Sequence, residues 1–170
     1  MTDLARRLYD VAHLTGQFTL RSGVTSTEYF DKYRFESDPR LLREIAAAMA
    51  RLLPPDVDAL AGLELGGVPL ATAVSFETGL PAVFVRKEAK TYGTCQLAEG
   101  GEVDGRRLVV VEDVVTSGGQ VIASCADLCA LGAKVDTVLC VIDRESGGSE
   151  KLSAEGLDLR PLFRMSELNP

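Results

Sequence analysis

The run VVVEDVVTSGG, residues 109–119, sets two acids, Glu112 and Asp113, between apolar residues and follows them with Thr116, Ser117, Gly118 and Gly119. Carboxylates are costly to bury unless paired. The run therefore predicts a buried strand that ends where the acids begin, leaving them at the carboxyl edge of a sheet, where open parallel sheets bind their ligands. The turn behind them leads into a helix predicted to start near Gln120, and its backbone N–H groups and two hydroxyls make an anion cradle. Carboxylates repel a bare phosphate but suit a sugar phosphate, whose hydroxyls need acceptors, so a ribose 5-phosphate fits both halves. The same residues also read more plainly, as acids that cap a helix and glycines that turn the chain.

Four other groups could serve such a ligand. Arg86, Lys87 and Lys90 form a basic cluster in an acidic chain and could neutralise a leaving group whose charge grows as it departs; as a charge run alone they are a solvated surface. GLELGGVPLA places Gly66 and Gly67 after a predicted strand, either for close approach of backbone to ligand or for a tight strand-to-helix turn. Tyr29 and Phe30 offer flat apolar faces, or core packing. Arg144 follows the apolar run VLCVID, where its guanidinium can take a carboxylate bidentately or pair with Asp143 or Glu145.

The elements that must carry these residues alternate. Leu4, Leu8 and Val11 share one face of an opening helix. FTLRSG and VTSTEYFDKYRF read as two extended pieces around a Ser-Gly turn. Pro39 opens a helix over LLREIAAAMARLL that Pro54 and Pro55 stop. DALAGLEL, PAVFVRK, RLVVVED and VDTVLCVID are apolar runs separated by helical patterns, and LDLRPLF is a last strand before a short closing helical turn. This alternation predicts an α/β fold with a mainly parallel sheet. The polar, Gly-rich segment from Arg86 to Arg107 is predicted to be a mobile loop or an exposed hairpin.

With 170 residues, 46% of them hydrophobic, the chain is expected to form a single domain spanning residues 1–170. A formal charge of -7 argues against a nucleic-acid-binding face, and no apolar run approaches a membrane span. The N-terminus lacks a signal-peptide pattern, so a cytoplasmic protein is expected. Cys95, Cys125, Cys129 and Cys140 show no CxxC and there is one histidine, His13, so no zinc site or disulfide framework is indicated. Cys125 and Cys129 are expected to share a core-facing side of one helix, and His13 to lie on the first helix without a nucleophilic partner. Neither a G-x-S-x-G nor a P-loop pattern occurs.

LVVVEDVVTSGG resembles the PRPP-binding signature of the type I phosphoribosyltransferases. With FTLRSG, EYFDKY, GLELGGVPLA, VRKEAKTYGT and VIDRE in order along nearly the whole chain, the resemblance is closest to the orotate-specific branch. It implies a Rossmann-like type I phosphoribosyltransferase fold, with a central mainly parallel sheet flanked by helices, a small hood built from residues 1–36 and the C-terminal segment, and a flexible catalytic loop over about 87–104. It implies transfer of a phosphoribosyl group from PRPP to orotate, giving orotidine 5'-monophosphate and pyrophosphate, in a homodimer whose loop reaches the neighbouring site.

Carried over residue by residue, the resemblance makes Lys90, Glu112 and Asp113 catalytic. PRPP would be bound by Arg21, Leu65, Gly66, Arg86, Lys87, Lys90, Tyr92, Glu112 and Asp113, and by Val114, Val115, Thr116, Ser117, Gly118, Gly119 and Gln120. Orotate would be bound by Tyr29, Phe30, Thr116 and Arg144, and Mg²⁺ held mainly through PRPP and water, without a direct side-chain ligand. Arg21 and Tyr92 stand where the family often has lysine and histidine, exchanging a compact ammonium for a planar fork and removing a titrating imidazole. The other readings are a type I phosphoribosyltransferase for a purine or uracil, and a non-catalytic PRPP-sensing regulator.

Overall fold

The computed structural model describes residues 3–19, 23–89, 93 and 96–168. The chain opens with α1 (Asp3–Ala12), which buries Ala5, Leu8 and Ala12. The expected face of Leu4, Leu8 and Val11 meets the core, with Leu8 fully buried and Leu4 and Val11 half-buried, while Ala5 and Ala12 let the helix approach closely. The strands β1 (His13–Thr19) and β2 (Thr25–Phe30) pair antiparallel, with His13 opposite Phe30 and Thr19 opposite Thr25. His13 thus belongs to a strand, not to the first helix.

The second extended piece stops at Phe30, where Asp31 accepts a hydrogen bond from Tyr33 N at 3.2 Å and caps α2 (Lys32–Ser37). Capping overrides the aromatic alternation that predicted a longer strand. Asp38 then accepts from Arg40 N at 2.9 Å and Leu41 N at 3.1 Å and, with Pro39 in the first turn, starts α3 (Pro39–Ala50), which buries Leu41, Ile45, Ala46 and Met49.

The remainder alternates as expected through β3 (Ala59–Leu63), α4 (Gly67–Thr78), β4 (Ala82–Val85), β5 (Ala98–Glu99), β6 (Arg107–Val115), α5 (Gly119–Ala130), β7 (Lys134–Asp143), α6 (Gly148–Ala154), β8 (Asp158–Arg164) and α7 (Met165–Leu168). The sheet runs in the order β5-β4-β3-β6-β7-β8. All its pairings are parallel except β4 with β5. That reversal gives the Gly-rich segment a hairpin edge, in which Arg86 N donates to Leu97 O at 2.9 Å. Helix α6 was not anticipated, since GSEKLSA buries only Gly148 and Leu152 and carries no apolar stripe.

Strand alternation divides the core in two. Ala59, Ala61 and Leu63 pack with Val121, Cys125, Leu128 and Leu152 beneath α5 and α6. On the other face Leu60, Val109, Val111, Leu139 and Val141 meet α1, α3 and α4 through Leu8, Ile45, Met49 and Leu70. Each such aliphatic side chain contributes roughly 1.5–3 kcal/mol on full burial. Cys125 and Cys140 are buried, whereas Cys129 is exposed, so the two helix cysteines do not share a core-facing side; Cys95 lies outside the described residues. Among the described residues no helix is long and apolar enough to cross a membrane.

Candidate active site

Strand β6 does not stop at the acids. Its ladder with β7 continues through Glu112 opposite Cys140, Val114 opposite Ile142 and Val115 opposite Asp143. Asp113 is 0% exposed, which corrects the expectation that both acids leave the core. Burial is tolerated because the charge is paired: Lys32 Nζ lies 2.5 Å from Oδ2, and Val114 N donates to Oδ1 at 2.5 Å. Asp113 follows Val109 and Val111 in the alternation, so it points toward α2 and the start of α4.

The glycines of GLELGG are required by this packing. A Cβ on Gly66 would sit 1.6 Å from Asp113 Oδ2, and one on Gly67 would sit 2.2 Å from Val111 O. The α4 turn thus rests directly on β6. The Glu64–Leu65 peptide beside it is cis, Leu65 is 65% exposed, and Glu64 Oε1 accepts from Lys87 N at 2.6 Å.

Four charged groups crowd this point. Glu112 Oε1 accepts from Asp113 N at 2.9 Å, and burial, reinforced by the negative charge of Asp113, pushes the Glu112 carboxyl well above its usual range. Glu36, also buried, is pushed up to about 8 by burial and by the charge and hydrogen-bonding proximity of Asp113. Burial alone would lower Lys32, but its hydrogen bond and charge pairing with Asp113 outweigh this and raise it. Lys32 and Glu36 carry no site signal in the sequence, where VTSTEYFDKYRF reads as an extended piece that ends at Phe35. Once KYRFES is a helix, the two stand four residues apart on one face.

A cleft of about 690 Å³ opens above this cluster. Of the expected residues, Tyr29, Phe30, Leu65, Lys87, Glu112 and Asp113 line it, as do Val114, Thr116, Gln120 and Arg144, joined by Lys32, Tyr33 and Glu64. Gly66, Arg86, Val115, Ser117, Gly118 and Gly119 do not line the cleft. Val115 is buried in the core, and its carbonyl accepts from Arg144 N at 2.9 Å. Arg21, Lys90 and Tyr92 lie outside the described residues.

Just beyond Thr116, which lines the cleft, Gly118 (φ 74°) begins α5 with no side-chain cap among the described residues, which leaves the first N–H groups of the helix to an outside acceptor. Gly148 is held against the carbonyl of Thr116, which a Cβ there would approach to 2.3 Å. A smaller hollow of about 280 Å³ shares Tyr29, Phe30 and Arg144 with the cleft and adds Tyr9, His13 and Glu28. His13 stacks on Tyr9 at 4.7 Å, and its Nε2 is 3.5 Å from Glu28 Oε2. The cleft and the hollow, which share Tyr29, Phe30 and Arg144, together offer anion donors, carboxyls and aromatic faces with a guanidinium. Among the described residues no three His, Cys, Asp or Glu side chains converge as a metal-binding set.

Residues 34–155 match the phosphoribosyl transferase domain model. An orotate phosphoribosyltransferase of Nocardioides sp. is 55% identical over 98% of this chain and 93% of its own. The crystal structure of the Mycobacterium tuberculosis orotate phosphoribosyltransferase in complex with Fe(III) dicitrate superposes with a TM-score of 0.90 at 34% identity, covering 99% of this chain and 98% of that one. The same enzyme in complex with PRPP superposes at 0.84 and 32% identity, covering 98% and 96%. With this fold, this cleft and these relatives, the chain belongs to the orotate phosphoribosyltransferase family of phosphoribosyl transferase domains.

Proposed function

We propose that the chain catalyses transfer of the 5-phosphoribosyl group of PRPP to orotate, yielding orotidine 5'-monophosphate and pyrophosphate for pyrimidine nucleotide synthesis. The observation that carries this reading is the set of groups gathered at one cleft: the turn opening α5, a carboxyl pair, an aromatic pair and Arg144. A nucleoside monophosphate with an acidic base presents the matching set of phosphate, ribose, ring and carboxylate.

In the reaction, N1 of orotate forms its bond to ribose C1 as pyrophosphate leaves with the electron pair of the C1–O bond, and the N1 proton passes to the departing pyrophosphate. Positive charge develops at the ribose, so the enzyme's task is to hold the reactants in line and to stabilise charge. The backbone of residues 116–120 would grip the 5'-phosphate, and Glu112 would accept from the ribose hydroxyls. Asp113, occupied by Lys32 and Val114 N, would act mainly by fixing its neighbours. Phe30 and Tyr29 would flank the ring, and Arg144 would bind the carboxylate. Lys87 lines the cleft and, with Arg21, Arg86, Lys90 and Tyr92, would face the pyrophosphate. The cleft's donor set suits Mg²⁺ carried by PRPP oxygens and water, where it would neutralise leaving-group charge.

The reading includes a cytoplasmic homodimer formed from one domain per chain. It is tested by incubating the protein with PRPP, Mg²⁺ and, separately, orotate, uracil, adenine and hypoxanthine. Pyrophosphate release with orotate alone supports it; turnover of a purine or uracil but not orotate, or PRPP binding without turnover, overturns it.

A further inference from the structure

In the scheme above Lys32 enters only as the partner of Asp113, and Glu36 has no part. The two stand one turn apart on α2, and Lys32 pairs with Asp113 on β6. Lys32 touches Oδ2 at 2.5 Å with its side chain 34% exposed, so it bridges the cleft and the buried acid. Glu36 is 8% exposed, its Oε1 is buried without a hydrogen-bond partner among the described residues, and the charge of Asp113 acts on its carboxyl. Two buried carboxyls acting on each other through charge favour keeping one of them protonated. The other charged groups facing Glu36 are Asp31 at the α2 cap, Lys32 and Asp113, with Glu112 beyond.

We propose that Lys32 and Glu36 are positioning residues for the ribose site: they hold the Asp113 side chain from α2 and thereby fix the orientation of Glu112 toward the ribose hydroxyls. The inference rests on the phosphoribosyl-transfer reading, but it makes a claim about PRPP binding that is separable from the choice of base. Asp113 N donates to Glu112 Oε1, so a shift of the Asp113 peptide moves the Glu112 carboxylate with it. Loss of the Glu36 proton would place a second anion beside Asp113 and compete for the Lys32 ammonium. Burial and the Asp113 charge set that loss near pH 8.

Calorimetric titration of PRPP with Mg²⁺ is carried out on wild type and on Lys32→Met, Lys32→Arg and Glu36→Gln, alongside steady-state kinetics with orotate. Lys32→Met weakens PRPP binding at least tenfold while KM for orotate stays within threefold. Lys32→Arg restores most of the affinity, which separates positioning from a folding defect. Wild-type affinity falls severalfold from pH 7 to pH 9, and Glu36→Gln flattens that fall. Unchanged PRPP affinity in Lys32→Met, a loss confined to orotate, or the same pH profile in Glu36→Gln and wild type overturns the proposal. Because PRPP binding is read directly, failure of orotate turnover would defeat the functional reading without deciding the clamp.

Discussion

Replacing Glu36 by glutamine should change how the stability of the protein depends on pH. The carboxyl titrates from 4.5 when unperturbed to about 8 in the fold, so the folded chain holds a proton that the unfolded chain has released across that interval. The stabilisation is therefore complete below pH 4.5, declines as pH rises, and is gone above about pH 8. At about 1.4 kcal/mol per pH unit the interval represents at most on the order of 5 kcal/mol, a large share of the roughly 5–15 kcal/mol that holds a domain together. Glutamine keeps the shape but cannot ionise. Glu112, also raised, titrates in both proteins and cancels in the comparison. Urea unfolding at pH 5, 6, 7 and 8, with m-values checked for constancy, should show the variant gaining about 4 kcal/mol relative to wild type from the first pH to the last. A difference between the two proteins that does not vary with pH would refute the account, because it would mean that Glu36 is already ionised inside the fold.

Gly66→Ala should drive a methyl group into Asp113, where no more than 1.6 Å is available, and separate it from Lys32; breaking a buried pair costs about 3–5 kcal/mol, and a wild-type melting temperature would contradict this. Arg144 is exposed and takes no part in the core, so Arg144→Ala should raise KM for orotate about 10- to 100-fold, the loss of a charge-assisted pair worth roughly 1.5–3 kcal/mol, while KM for PRPP and the melting temperature stay unchanged. Lys90→Ala should lower kcat with the melting curve intact, and unaltered kinetics would remove Lys90 from the mechanism.

Much of this architecture is legible in the residues. Apolar runs such as ALAGL and LVVV are buried on both sides and announce parallel strands, and Asp38-Pro39 announces a helix by cap chemistry. What misled was a rule applied to one residue at a time. Asp113 was expected outside the core because an isolated carboxylate is costly there, yet its partner lies 81 residues away at Lys32, on a helix whose sequence, KYRFES, alternates like a strand. Gly66 shows the same dependence. In sequence it is a flexible turn, and only tertiary contact reveals that no side chain fits beside Asp113. His13, assigned in sequence to the first helix, and Glu28, which carries no motif, reach the hollow with Tyr9 and Arg144 because β1 pairs with β2.

The most direct test is the crystal structure of the protein bound to orotidine 5'-monophosphate. The account predicts the phosphate on the backbone N–H groups that open α5, the ribose hydroxyls facing Glu112, the ring against Phe30 and Tyr29, and the orotate carboxylate on Arg144. A phosphate seated anywhere but the start of α5, or a base carboxylate away from Arg144, would contradict it.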